Sequence, residues 1–187
     1  MLETQIKNPH SKEEILSSMR DITEKVYLYY SSLPPEIFFN DRMGGWSPAQ
    51  NLNHITFIAQ LAILLLRIPF FFLIPFGKRR DQKDFLTLRE EYIGSPKPIY
   101  IGPLAPAEIH LPPEPESVIR NLLVSWKKTN TELADALATV PESNFDEYSL
   151  PHPSLGMLSF REMMYVLIIH PVHHTYKVEQ KTSRFVR

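Results

Sequence analysis

The chain has 187 residues, enough for one domain with a substantial core, and its formal net charge is −1, with 20 Lys and Arg against 21 Asp and Glu. This balance leaves no basic excess of the kind that nucleic-acid-binding domains show. Cysteine is absent, which excludes disulfides, thiolate metal ligands and a cysteine nucleophile, and which fits a cytoplasmic protein. We therefore expect residues 1–187 to form a single cytoplasmic domain.

Three short patterns predict where helices begin: Ser11–Glu14, Ser47–Gln50 and Ser159–Glu162. In each, a serine precedes an acidic or amide side chain by three residues, the spacing of a capping box, in which each side chain accepts from the other residue's backbone N–H. Pro48 adds the favoured first helical position after Ser47. The N-terminal sequence MLETQIKNPHSKEE lacks the apolar stretch of a signal peptide.

Apolar residues at helical spacing extend from these starts and predict four helices. The first ends before Pro34, and the second runs from Ser47 to about Arg67. The third stops near Pro141, and the fourth starts after Ser159. The apolar residues of the third are Ile119, Leu122, Trp126, Leu133 and Leu137. No stretch alternates with period two, so we expect few strands. The pattern predicts an all-α four-helix bundle.

A long connection, residues 68–115, separates the second and third predicted helices. It is rich in proline (PKPIYIGPLAPAEIHLPPEP) and holds a charged run, GKRRDQKD. We expect a short helix through Asp84–Tyr92. Connections of this length are uncommon in compact domains and often have a function, so the segment is predicted to be a proline-rich insertion in the bundle.

The apolar segment 55–76, ITFIAQLAILLLRIPFFFLIPF, has the length of a membrane span. Gln60 and Arg67 lie within it, and Pro69 and Pro75 interrupt its second half; a charge at mid-span is costly in lipid. We therefore predict a buried helix followed by an irregular aromatic loop, rather than a membrane-seated segment.

Three consecutive phenylalanines, residues 70–72, form the centre of this aromatic loop. Such a run needs to be buried by the chain's own helices, a second subunit, a ligand or a membrane surface. Burial against the bundle and a homodimer contact are the two leading expectations. The loop 68–76 also motivates a rival function, a non-catalytic bundle that binds a protein partner or an apolar ligand.

Three histidines are candidate metal ligands. His170 and His174 are four residues apart, which places both on one helix face, one turn apart. His54 lies on an apolar, core-directed face of the second helix, so the three imidazoles could meet at one end of the bundle. Three His ligands with an open position are typical of a catalytic metal site. Two simpler interpretations stay open: an HxxxH pair arising by chance, and a core histidine bonded to a backbone carbonyl.

The remaining histidines are less informative. His10, His110 and His152 lie in predicted loops and are assigned no role. His173 is an alternative ligand, a residue that supports a ligand, or simply an exposed side chain, and the last interpretation is favoured. It is also the candidate for a catalytic general base. Pro171, between the two spaced histidines, predicts either a kinked fourth helix or a new helix that begins there.

Two of these stretches together resemble the DinB-like superfamily. WSPAQNLNH, Trp46 to His54, is similar to its second-helix signature, and HPVHH, residues 170–174, is similar to the HxxxH of its last helix. Gln180 follows about where a polar residue often does. The members are four-helix bundles related to bacillithiol transferases. The resemblance covers the four predicted helices in order and leaves out 68–115.

The resemblance implies a divalent metal ion, with Zn, Ni, Mn and Fe all open, held by His54, His170 and His174. Characterised members include thiol S-transferases and thiol-dependent isomerases, and many members have no known reaction. We therefore expect a metal-dependent thiol S-transferase or hydrolase that acts on a small electrophilic molecule, with a low-molecular-weight thiol as the cosubstrate of the transferase. Expected partners are this small molecule and a second copy of the chain, and neither nucleic acid nor a membrane.

Overall fold

A computed structural model describes residues 7–42, 44–78, 81–94 and 104–185, with side-chain surroundings up to residue 183. Within these residues the chain forms eight helices and one two-stranded antiparallel hairpin. In chain order the elements are α1 (Lys12–Ser31), α2 (Pro35–Phe38), α3 (Pro48–Leu66), a 3-10 helix (Phe70–Phe76), α4 (Phe85–Gly94), α5 (Pro115–Ala138), α6 (Asn144–Glu147), β1 (Ser149–His152), β2 (Gly156–Ser159) and α7 (Phe160–Phe185). The prediction of a mostly helical fold is confirmed.

All three predicted capping boxes form. At α1 and α3 the serine hydroxyls of Ser11 and Ser47 accept from the backbone three residues on, and the side chains of Glu14 and Gln50 accept in return. At the junction of β2 and α7, the Glu162 carboxylate accepts from Ser159 N–H at 2.7 Å, and Ser159 Oγ accepts from Glu162 N–H at 3.1 Å. These local bonds fix the helix starts where the sequence predicted them.

The four long helices, α1, α3, α5 and α7, pack around a shared apolar core. α5 lies against both α1 and α3, and α7 lies against α1, α3 and α4. Trp126 of α5 is 1% exposed and donates its indole N–H to the Thr23 carbonyl, which ties α5 to α1. The hairpin pairs Ser149 with Ser159 and leads directly into α7.

α7 runs without interruption from Phe160 to Phe185, with Pro171 inside it. The expectation that a new helix begins at Pro171 is therefore wrong. Proline lacks the N–H that would bond the carbonyl of Leu167, yet the packing of α7 against α1, α3 and α4 holds the residues on both sides of Pro171 in one helix. As a consequence His170 and His174 keep their one-turn relationship.

The start of α7 is held by a buried guanidinium. Arg161, whose side chain is 7% exposed, bonds both carboxylate oxygens of Asp146 at 2.8 Å. It also donates to the carbonyl of His10, ahead of α1. The Glu162 carboxylate accepts a further bond from the Lys83 N–H at 2.9 Å, just before α4. These bonds place α4 and the N-terminus of α1 relative to the helix that carries two of the histidines.

Within the segment 68–115 the predicted short helix is present as α4, Phe85–Gly94. Its buried residues Phe85, Leu88 and Tyr92 face the core, because α4 packs on α7. Part of the proline-rich stretch, residues 96–103, lies outside the described residues.

The prediction of an irregular aromatic loop after α3 is wrong, because Phe70–Phe76 forms a 3-10 helix. Pro75 lies inside this 3-10 helix. Such helices are common as connectors between longer elements. Phe70 packs on the rings of Tyr148 and Phe160. Four other large side chains are largely exposed: Phe71 59%, Phe72 58%, Ile74 63% and Phe76 49%. Burial by the chain's own helices therefore covers only part of the aromatic segment.

In the described part of the chain one helix, α3, is long and apolar enough to cross a membrane by length and composition. Half of its most apolar stretch is buried inside the structure. Core helices of soluble proteins share this length and composition. The expectation that the segment 55–76 is not seated in a membrane stays a prediction.

Candidate metal centre

His54, His170 and His174 lie together at the contact between α3 and α7. Each offers one ring nitrogen, and these three nitrogens all lie within 4.8 Å of one another. Nε2 of His54 and Nε2 of His170 are 3.1 Å apart, and the ring centroids of His54 and His174 are separated by 4.8 Å. His54 is 2% exposed, while His170 and His174 are half-buried. Residues more than a hundred positions apart thus form one cluster.

Acceptor groups fix the protonation of two of the three rings. His54 Nδ1 is 3.0 Å from the carbonyl oxygen of Leu104, which accepts but cannot donate. His174 Nδ1 is 2.7 Å from Oδ1 of Asn51. The amide orientation of Asn51 is set because its Nδ2 donates to the carbonyls of Trp46 and Ser47. Both neutral rings therefore carry their proton on Nδ1 and present the Nε2 lone pair.

The third ring is held by a hydroxyl. Nδ1 of His170 is 2.7 Å from the Tyr92 hydroxyl, and burial raises the pKa of Tyr92, which keeps this group protonated. A hydroxyl can donate or accept, so this contact permits either tautomer of His170. When the ring donates Nδ1–H to Tyr92, all three Nε2 lone pairs are directed at the same cluster.

Burial keeps the imidazoles neutral. It lowers the pKa of His54, against a smaller opposing effect of the hydrogen bond to Leu104. The pKa values of His170 and His174 lie well below the usual value, first because of burial and then because the neighbouring imidazoles disfavour a second positive charge. Neutral imidazole is the form that binds metal ions.

These observations fit a metal ion. Nitrogen ligands such as His lie about 2.0–2.1 Å from Zn²⁺, so small side-chain rotations would bring nitrogens within 4.8 Å of one another onto one ion. Two Nε2 atoms that both present lone pairs at 3.1 Å repel unless a proton or a cation lies between them. Each ring also has its second nitrogen held by a hydrogen-bond partner, the usual arrangement behind metal-ligating histidines.

The open side of the cluster meets a cavity of about 310 Å³. His54 and His170 line it, and so do Ile58, Leu61 and Leu65, which follow His54 on the same face of α3. From the sequence this face was expected to point toward the core. The structure shows instead that it borders an open cavity, because α7 and the hairpin do not fill the space beside it. A ligand in this cavity would contact the histidine cluster directly.

An aromatic side chain covers the other side of the cluster. The indole of Trp46 stacks on His174 with a 10° angle between planes and a centroid distance of 5.7 Å. It also contacts His54 at 4.9 Å. Trp46 thus excludes water from that side and restricts the rotation of both rings.

The other histidines lie outside this cluster. The ring of His173 is perpendicular to that of His174, with centroids 5.8 Å apart, and it contacts Tyr92 at 5.5 Å. Burial, together with the charge of Lys177, lowers its pKa to about 4, which makes it a weak base near neutral pH. Its catalytic role stays a prediction. His10 and His110 are exposed. His152 is half-buried and lines the cavity, although its sequence gave no reason to assign it a role.

A profile of the DinB superfamily matches residues 14–177, which include every residue of the cluster. The chain belongs to the DinB superfamily. The resemblance inferred from WSPAQNLNH and HPVHH is therefore confirmed. Neither the curated proteins nor the solved structures contain a significant match to the chain.

Three groups that hold the histidines were not predicted from the sequence. Asn51 lies three residues before His54, within the WSPAQNLNH stretch, so the one-turn spacing on a helix could have identified it. Tyr92 and the carbonyl of Leu104 come from the segment 68–115. No spacing rule links that segment to α3 or α7, because only the folded chain brings it to the cluster.

Proposed function

We propose that this chain is a divalent-metal-dependent enzyme, a thiol S-transferase or a hydrolase, that acts on a small electrophilic molecule through His54, His170 and His174. The observation that carries the proposal is the convergence of three neutral imidazoles beside an open cavity. Three protein ligands leave a coordination position free, as catalytic sites do and closed structural sites do not. In the described residues no carboxylate joins the group to close it.

A divalent ion bound there would favour the deprotonated form of a coordinated water or thiol near neutral pH. The chain's own residues orient the ligands and exclude water. Asn51 and the Leu104 carbonyl hold His174 and His54 with Nε2 facing the cluster. Trp46 closes one side, and the apolar cavity walls keep bulk water from the other.

In the transferase form, the thiolate sulfur forms a bond to an electrophilic carbon, and the leaving group departs with the bonding electron pair. In the hydrolase form, the oxygen of water takes the place of sulfur. In both, the proton lost by the nucleophile passes to His173, to solvent or to the leaving group. His173 is the one side chain that we propose as a proton acceptor, and its low pKa makes it a weak one.

The test is elemental analysis of the full chain, purified without a chelator or an affinity tag. We expect close to one equivalent of a divalent metal. His54→Ala and His170→Ala should each lose most of it, since each removes one of three ligands from a different helix. His110→Ala is the matched control, because His110 is exposed and far from the cluster in sequence. Full metal occupancy in His54→Ala would refute the cross-helix site.

The metal-loaded protein is then incubated with small electrophiles, with and without a low-molecular-weight thiol, and the products are analysed by mass spectrometry. A thiol adduct identifies a transferase, and a hydrolysed product formed without thiol identifies a hydrolase. Absence of both products from a metal-loaded protein, over a broad panel, would contradict catalysis while leaving the metal centre in place.

A second candidate function is a non-catalytic bundle that binds a protein partner through the aromatic segment 68–76. The observation that favours it is the exposure of Phe71, Phe72, Ile74 and Phe76 on one short helix. We propose a second copy of the chain as the partner. Sedimentation of the wild type against Phe72→Ser tests this, with dimer expected only for the wild type. A protein that never binds metal but dimerises would favour this candidate.

We also propose that the four long helices represent the four-helix bundle expected from the sequence, with residues 68–115 as an insertion, in a cytoplasmic protein. Tyr92 and Leu104 support a role for the insertion in holding the histidines.

A further inference from the structure

The cavity beside the three histidines has mostly apolar walls and few polar side chains. Most of its lining is apolar, from α3, the 3-10 helix, the hairpin and α7. Among the described lining residues there is no Asp, Glu, Lys or Arg, so away from the metal ion proposed at the histidines a charged group of a ligand would lose its hydration without gaining a counter-charge. The polar side chains are His54, Tyr92, His152 and His170. Three of these four are engaged with one another in the cluster.

His152 is the fourth polar side chain of the lining and does not contact the other three through a hydrogen bond. It ends β1, and its Nδ1 accepts backbone N–H bonds from Ser154 at 3.3 Å and from Leu155 at 3.2 Å. A ring nitrogen that accepts from N–H groups has no proton, so the proton of the neutral ring is on Nε2. Burial lowers the pKa of His152, which keeps this form at neutral pH. Among the described residues, Nε2 has no hydrogen-bond partner.

We propose that the cavity binds an uncharged, largely apolar molecule with an oxygen acceptor such as a carbonyl, and that His152 Nε2–H donates a hydrogen bond to this oxygen. The inference rests on the proposed function, because it takes His54 and His170 as the end where the molecule reacts. His152 is a substrate-positioning residue here. It belongs to the hairpin, whereas the cluster belongs to α3 and α7, so the two would hold the molecule at separate points.

Size and access agree with this ligand class. A cavity of about 310 Å³ is at the small end of the range for small-molecule sites, roughly 300–1,000 Å³. Leu65 and Ile68 both line the cavity and are 44% and 42% exposed, so its entrance is apolar as well. An apolar molecule can therefore leave water at the entrance without passing a charged group.

Two substitutions separate the roles of the two ring nitrogens. The side-chain oxygen of asparagine can take the place of Nδ1, so His152→Asn keeps an acceptor for Ser154 and Leu155 and removes the donor. The side-chain amide of glutamine reaches about as far as Nε2, so His152→Gln restores a donor at that distance. The probes are acetophenone and α-methylstyrene, which have nearly the same shape. Acetophenone has a carbonyl oxygen where α-methylstyrene has a methylene group.

Binding of each probe to the full chain is measured by titration calorimetry. We expect His152→Asn to weaken acetophenone binding about fivefold, the usual effect of one neutral hydrogen bond. Binding of α-methylstyrene should be unchanged, and His152→Gln should recover part of the ketone affinity. Unchanged acetophenone binding in His152→Asn would refute the proposal.

A further pair of variants tests whether the probes occupy this cavity. Ala62 lines the cavity and is buried, so Ala62→Leu should weaken both probes. Leu64 is on the same helix, is 57% exposed and does not line the cavity, so Leu64→Phe should affect neither. Equal effects of the two variants would overturn the assignment. In the wild type, the ¹⁵N resonance of His152 Nε2 should move with acetophenone and not with α-methylstyrene, which tests the bond without any substitution.

The test of the cavity can fail or succeed independently of the test of the metal centre. A protein that binds acetophenone through His152 but takes up no metal supports the cavity assignment and refutes the proposed function. A metal-loaded protein in which acetophenone binding is insensitive to both His152→Asn and Ala62→Leu refutes this inference and leaves the metal centre intact.

Discussion

The side-chain oxygen of Asn51 lies 2.7 Å from Nδ1 of His174 and accepts its hydrogen bond across the contact between α3 and α7. The same amide donates to the carbonyls of Trp46 and Ser47 at the start of α3. One side chain therefore connects the beginning of one helix to a candidate metal ligand on another. This bond fixes both the tautomer and the orientation of His174.

Replacement of Asn51 by leucine should weaken metal binding about 10–100-fold, the usual loss when a group behind a metal-ligating histidine is removed. Nδ1 of His174 would lose its acceptor and the ring its preferred orientation. Metal titration of the variant measures this. Asn53→Leu is the matched control, because Asn53 is on the same helix and makes no hydrogen bond with the three histidines. Equal losses in the two variants would mean a general effect on α3 instead.

Tyr92→Phe should reduce metal affinity about tenfold while leaving the fold intact. The substitution removes the hydroxyl that is 2.7 Å from Nδ1 of His170 and keeps the buried ring. Tyr165→Phe serves as the control, since Tyr165 is also buried and packs on Phe85 of the same α4, and its hydroxyl makes no bond to the cluster. Metal titration and thermal unfolding of both variants give the comparison. Unchanged affinity in Tyr92→Phe would show that this hydroxyl does not support the ligand.

Asp146→Asn should destabilise the protein at neutral pH by about 1–3 kcal/mol, because the charged hydrogen bonds to the buried Arg161 are weakened. The hydrogen bonds from Arg161 lower the pKa of Asp146 below its ordinary value of 3.8. A carboxylate with a lowered pKa contributes its full stability above that ordinary value and loses it as the pH falls through the folded-state pKa. The difference in unfolding free energy between wild type and variant should thus shrink below about pH 4.

Denaturant unfolding at neutral pH and near pH 3 measures that difference. Asp21→Asn is the control, since Asp21 forms an exposed pair with Lys25 on one helix and such pairs contribute little. A difference between wild type and Asp146→Asn that stays constant over this range would show that the Asp146–Arg161 pair does not contribute through its charge.

Pro171→Ala should raise the stability of the metal-free protein by up to ~3 kcal/mol, the propensity difference between the two residues inside a helix. The substitution supplies an N–H for the carbonyl of Leu167 within a helix that already continues through this position. We expect metal affinity to fall in the same variant, because His170 and His174 flank the proline and their separation follows the local helix geometry. Thermal unfolding and metal titration are measured together. Higher stability with unchanged affinity would show that the proline does not shape the site.

Several features of this protein were determined by the sequence alone. The three capping boxes determined the starts of α1, α3 and α7, and the apolar stripes predicted α5 and the approximate ends of α1, α3 and α5, because capping bonds and helical spacing are local properties of the chain. The four-residue spacing of His170 and His174 placed them on one face. The apolar face of the second helix made His54 a third candidate, the resemblance to the DinB-like superfamily implied all three as metal ligands, and the matched profile confirmed the family.

Tertiary structure determined which groups the histidines and the helix faces contact. Whether α7 continues through Pro171 depended on its packing against other helices, α1, α3 and α4 among them, which no local pattern contains. The partners of the histidines, Tyr92 and the Leu104 carbonyl, come from a segment whose position in the fold is not encoded in its spacing. The face of α3 after His54 has the pattern of a core face, yet it borders a cavity. Apolar periodicity shows that a face leaves water, and only the packing of other elements decides whether protein or a ligand fills the space beside it.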